Sequence, residues 1–181
     1  VYRLRGGLEI GSNTRILIDP SVRLHFECSP IDYTEDGQGV LIRYEGTTIY
    51  GHQPLMRAFN AHDIVIAAAP GHGAMPEISG DGEAWLRWAR SIDMGPSVGI
   101  RVANNAGLPL AERRSPHPGA FFRRPSTLHF LLCRDVLVEG IAFSDSPFWV
   151  VHPAFSENLT FRGLLFDCQN VNNDGVDVDS C

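Results

Sequence analysis

The sequence predicts an all-β chain wound as a right-handed parallel β-helix, a solenoid of short strands. Two observations carry that expectation. Short runs rich in Val, Ile, Leu and Phe alternate at period two between turn residues. One two-strand unit is also repeated 23 residues further along the chain.

In chain order, the opening "VYRLRGGLEIGSN" reads as strand, turn and strand. It has no initiator Met and no charged segment followed by an apolar one, so the chain is expected to begin inside a longer protein. "TRILIDPSVRLHF" and "HDIVIAAA" follow as further strands and weakly echo the repeat. Ile31 to Met56 and Gly71 to Arg123 lack it, and are expected to be loops leaving the coil. Within the second, "GEAWLRWARS" (82–91) places Trp85 and Trp88 three residues apart, on one face of a helix. The "GHG" at 71–73 is read as loop.

The repeat itself is sharpest in "CRDVLVEGIAF" (133–143) against "SENLTFRGLLF" (156–166). Val136 matches Leu159, Val138 matches Phe161, Gly140 matches Gly163, Ile141 matches Leu164 and Phe143 matches Phe166. Such a unit cannot bury its apolar side alone. Stacked on copies of itself it makes a continuous interior column. Helical repeats would show a 3.6 period and leucine-rich repeats an L-x-x-L-x-L spacing, and neither is present. "NLT" at Asn158 matches a glycosylation acceptor, but the repeat assigns Leu159 to an inward strand position.

Composition sets outer bounds. A chain of 181 residues, 44% hydrophobic, suffices for one domain with a core. Its net charge of −6 and scattered arginines offer no basic stripe for nucleic acid. No apolar run approaches the length of a membrane span. Cys28, Cys133, Cys168 and Cys181 show neither C-x-x-C nor zinc spacing, and are read as buried thiols. A disulfide would require export.

Asn172 to Cys181 reads "NNDGVDVDSC", with three aspartates in six residues. Carrying the 23-residue offset forward sets Trp149 beside Asn172 and Val151 beside Asp174. Trp149, His152, Asn172 and Asp174 are thus expected to share one patch, across strands about 4.8 Å apart. Side chains from successive coils line a long groove, a shape suited to an extended polymer. The carboxylates could cap turns, bind calcium, or act on a glycosidic bond, which needs two carboxyls flanking the scissile oxygen. The order lacks the closing Glu of a calcium loop. No metal or other cofactor is expected.

"SPFWVVHPAFSENLTFRGLLFD" together with "NNDGVDVDSC" resembles the polygalacturonases, glycoside hydrolase family 28, and in particular their bacterial exo-acting branch. "RRPSTLHFLLCRDVLVEGIAF", "YEGTTIYGHQPLMRAFNAHDIVI" and "ISGDGEAW" extend the likeness over the whole chain. The resemblance implies a pectin-lyase-like right-handed parallel β-helix. It also implies inverting hydrolysis of α-1,4 links between galacturonates, using three aspartates. Asp174 matches the first of these, the base that positions and deprotonates water. Asn172 would bind substrate or hold Asp174. His152 would approach a substrate carboxylate or be a satisfied histidine at a strand end. Asp177 and Asp179 match positions that look structural. Asn173 departs from the family's Thr.

The family's aspartate pair, Gly-His-Gly and Arg-x-Lys are expected beyond Cys181. Residues 1–181 are therefore expected to be one partial β-helix domain, incomplete at both ends and inactive alone. The implied partner is pectin or an oligogalacturonide, and the implied location is secreted or periplasmic. The alternative from another class is a non-catalytic carbohydrate-binding β-helix of tailspike or adhesin type. A pectate lyase is a second enzymatic alternative, but nothing in the sequence supplies its calcium cluster.

Overall fold

The computed structural model describes residues 1–35, 37–91, 100, 104–113 and 123–181. Their strands are β1 (Tyr2–Leu4), β2 (Leu8–Glu9), β3 (Thr14–Ile18), β4 (Arg23–Phe26), β5 (Val40–Tyr44), β6 (Thr47–Gly51), β7 (Met56–Phe59), β8 (His62–Ala68) and β9 (Glu77–Ser79). Helix α1 (Gly82–Ser91) follows, then β10 (Leu128–Leu131), β11 (Arg134–Glu139), β12 (Ala142–Ser144), β13 (Val151–Ala154), β14 (Glu157–Arg162) and β15 (Leu165–Asp167).

Each coil contributes one strand to each of three parallel sheets. The sheets run β2-β7-β10-β13, β3-β8-β11-β14 and β1-β4-β9-β12-β15. Register follows the repeat: Val136 lies beside Leu159 and Ile64, and Val138 beside Phe161 and Ile66. This is a parallel β-helix. The alternation seen in the sequence now has its cause, because apolar positions point into the column and the rest outward. Ile64, Ile66, Val136, Val138, Phe130 and Phe143 are fully or almost fully buried. One coil later Leu159 and Phe161 are half-buried, and beyond them Val176 and Val178 are exposed, Val178 by 59%.

The corner between the first two sheets is made by left-handed residues. Asn60, Leu132, Phe155 and Ser180 stack with φ between 48° and 58°, and Asp63, Asp135 and Asn158 recur three residues after the first three. Asn and Asp tolerate this conformation, whereas a branched or aromatic side chain pays for its Cβ. Leu132 is 49% exposed, so little packing offsets that strain. Leu132→Asn is therefore expected to stabilise the chain by about 1 kcal/mol. A urea midpoint that falls instead of rising would refute this.

Two predicted loops differ from expectation. Ile31 to Met56 does leave the coil, but it includes the antiparallel hairpin β5–β6, with Ile42 opposite Ile49. The hairpin lies over the outer face of β10 and β13, where Tyr44 stacks on Phe148 at 4.7 Å. Val40, Ile42, Tyr44, Ile49, Ile100 and Phe148 form a second, smaller core. The expected loop from Gly71 begins later, because β9 pairs with both β4 and β12 and belongs to the coil. Helix α1 then forms as the spacing predicted, with Trp85 and Trp88 edge-on at 5.4 Å. Residues 92–99, 101–103 and 114–122 of that segment lie outside the described residues. No helix among the described residues is long and apolar enough to cross a membrane. All four cysteines are free; Cys133 is buried, but Cys181 is exposed, contrary to the buried-thiol expectation.

Candidate functional site

The segment bearing Asp174 starts a fifth strand on the β2-β7-β10-β13 sheet. Val150 and Val151 donate to the carbonyls of Asp174 and Gly175 at 2.9 and 3.0 Å, and Asp177 donates back to Val151 at 2.9 Å. Bridges join Val151 to Val176 and Ala154 to Asp179. The register therefore differs from the expected one. Ser144 still pairs with Asp167 at the repeat offset of 23, but Val151 pairs with Val176, an offset of 25. The turn after β15 is two residues longer than the turn after β12. Trp149 consequently lies beside Asp174, and Asn172 falls within the turn.

That turn is held by polar anchors. Asn173 donates to the carbonyls of Ser146 and Phe148, both at 2.9 Å, and accepts from the Asn170 backbone at 3.0 Å. Position 173 is thus a structural anchor. Arg124 is buried over the Phe148 ring and donates to the Pro147 carbonyl at 2.6 Å, the Val171 carbonyl at 3.0 Å and Asn172 Oδ1 at 3.3 Å. Asn172 is exposed, but its side-chain oxygen already has this partner. Arg124 escaped the sequence reading because an Arg in "RRPST" carries no local sign of its distant carbonyls.

Asp174 itself is exposed, at the mouth of the strand. Trp149, half-buried beside it, packs on Phe148 at 4.7 Å, His152 at 4.8 Å and Tyr44 at 6.1 Å. His152 is only 1% exposed, so it does not offer its ring to solvent. It stacks on His129 at 4.9 Å, beneath the hairpin. A polar column runs along this face through Glu9, Arg57, His129, His152 and Asp177. Arg57 holds both Glu9 oxygens at 2.8 Å, and Arg43 N–H donates to His129 Nε2 at 3.2 Å. Burial pushes His129 down to about 3 and also lowers His152.

The two later aspartates differ from each other. Burial pushes Asp179 up, but Arg43 at 2.7 Å and Ser180 outweigh it and hold the carboxyl below its usual range. Asp179 thereby ties the hairpin to the coil. Asp177 is raised by burial, opposed by His152 and reinforced by the charges of Asp174 and Asp179. Among the described residues no three His, Cys, Asp or Glu side chains are arranged to hold a metal ion. What the geometry offers is a solvated carboxylate where this strand begins, beside an indole and next to a carboxyl that ionises less readily.

No protein-family model matches the chain. A Vitis vinifera protein named "Probable polygalacturonase" is 31% identical over 62 residues, which is 33% of this chain and 13% of that protein. The hyperthermoactive exopolygalacturonase from Thermotoga maritima superposes with a TM-score of 0.77 at 27% identity, over 97% of this chain and 41% of that one. The chain is related to the polygalacturonases. The Yersinia enterocolitica family 28 exopolygalacturonase shares the fold, with a TM-score of 0.66 at 16% identity over 97% of this chain and 34% of that one. The chain thus spans less than half the length of each of these polygalacturonases.

Proposed function

We propose that this chain carries part of the active face of a pectin-degrading glycoside hydrolase. The bond cleaved is the α-1,4 link between galacturonate residues, and cleavage proceeds with inversion. Asp174 is the base that orients and deprotonates water. A base must remain ionised, which suits a solvated carboxylate. An inverting site keeps its acid about 6.5–9.5 Å from its base to admit that water. The carboxylates acting with Asp174 are assigned to sequence outside these 181 residues. The observation that carries the reading is an exposed Asp174 level with Trp149 at the start of the strand that stacks on β13, in a chain related to polygalacturonases.

The test is product analysis on polygalacturonate. The 181-residue chain alone is expected to release no reducing sugar, while the protein extended through its following sequence releases galacturonate that appears first as the β-anomer. Binding without turnover by the extended protein would support the carbohydrate-binding alternative instead. Initial appearance of the α-anomer would overturn inversion.

A further inference from the structure

The fifth strand has a gap in its backbone ladder. In parallel pairing, donors alternate regularly between neighbouring strands. Val151 N–H goes to Gly175, Asp177 N–H to Val151, Asp179 N–H to Pro153 and Phe155 N–H to Asp179, at 2.9–3.0 Å. The missing member of that series is a donor from position 153 to the Asp177 carbonyl. Position 153 is proline, which has no N–H. A carbonyl left without a donor in the middle of a sheet is costly.

The imidazole of the preceding residue closes the gap. His152 Nδ1 lies 2.7 Å from the Asp177 carbonyl oxygen. A carbonyl only accepts, so Nδ1 carries the hydrogen in this contact. The opposite nitrogen, Nε2, is buried with no hydrogen-bond partner. A surface histidine recruited for substrate would not be oriented this way. Its ring is also fixed from both sides, by His129 at 4.9 Å and Trp149 at 4.8 Å. One coil earlier the same contact recurs, with His129 Nδ1 at 2.7 Å from the His152 carbonyl. There the following residue is Phe130, which keeps its N–H, so the ring bond is an addition to the ladder. At His152 it is a replacement.

We propose that His152 is a positioning residue whose ring N–H substitutes for the absent Pro153 N–H and sets the register of the strand from Asp174 to Asp179. It acts on Asp174 through the backbone, by keeping that residue level with Trp149. The link to chemistry rests on the hydrolase reading above; the structural claim does not. Asn, whose side-chain N–H₂ reaches from about the same point as Nδ1, can replace the donor. A residue with a backbone N–H at position 153 can make the ring unnecessary.

Hydrogen exchange on the 181-residue chain separates these statements, because it needs no turnover. His152→Leu is expected to speed exchange of the Asp177 and Asp179 amides by roughly tenfold or more. His152→Asn is expected to stay within about threefold of the parent. The double variant His152→Leu with Pro153→Val is expected to recover most of the lost protection. Unchanged protection in His152→Leu would overturn the proposal. So would a loss that neither Asn at 152 nor Val at 153 repairs, since the packing of the ring would then hold the strand. If His152→Leu does not fold, Pro153→Val alone decides: protection at Asp177 and Asp179 equal to or above the parent supports a missing donor, and a decrease refutes it. In the extended enzyme, His152→Leu should lower kcat while leaving KM nearly unchanged, and Pro153→Val should restore it. Exchange that behaves as expected in a protein without hydrolase activity would sink the functional reading alone.

Discussion

Asp174→Asn is expected to lower the turnover of the proposed hydrolase by about 10²–10⁴-fold, the usual contribution of a positioned base. The substitution is isosteric and removes only the charge and the proton-accepting capacity. The backbone carbonyl of residue 174 would still accept from Val150, and the turn would still be anchored by Asn173 and Arg124. The side chain is exposed, so no buried partner is orphaned by the change. Fold and stability should therefore be unaltered, which circular dichroism and a urea midpoint would verify. The measurement is initial rate on polygalacturonate in the extended protein. A variant that keeps more than a third of parental kcat would remove Asp174 from the chemistry.

The largest effect on stability is expected from Trp85→Ala, at about 3–5 kcal/mol. Trp85 is fully buried and meets Tyr33 and His52 at 5.3 Å and Trp88 at 5.4 Å, all edge-on. It packs helix α1 onto the main core. Removing the indole empties a volume that three separate chain segments converge on, so collapse around it is limited. Against a typical total of about 5–15 kcal/mol, the loss would leave little margin. Trp85 Nε1 has no hydrogen-bond partner, so the residue contributes apolar area and ring contacts, not a polar link. Trp85→Phe should accordingly cost less than half as much. Urea unfolding with an unchanged m-value would read both; a Trp85→Ala loss below about 1 kcal/mol would contradict the packing argument.

The coil was legible in the sequence because its signal is local and repeated. Val136, Val138 and Phe143 recur as Leu159, Phe161 and Phe166, and alternation decides which side chains enter the column. The β5–β6 hairpin was not legible, because its covering role depends on Phe148, about a hundred residues away in sequence. Asp174 could be singled out by its motif and by the density of carboxylates around it. Its neighbours were partly misplaced, because two extra residues in the turn after β15 shift the register without altering the alternation. His152 was recognised as significant, but its burial depends on a hairpin whose packing the sequence did not announce. Arg43 and Arg124 carry no pattern at all. Each is defined by partners from distant coils.

The graded burial along the column has a consequence for how the molecule comes apart. Side chains of the second and third coils are sealed above and below, Leu159 and Phe161 of the fourth only on one side, and Val176 and Val178 hardly at all. In these 181 residues taken alone, opening should then proceed inward from the two open layers, β1 with its exposed Tyr2 at one end and the Asp174 segment at the other, with amide protection climbing coil by coil toward β8 and β11. The carboxylate proposed to activate water thus rides on the layer most sensitive to whatever stacks next to it.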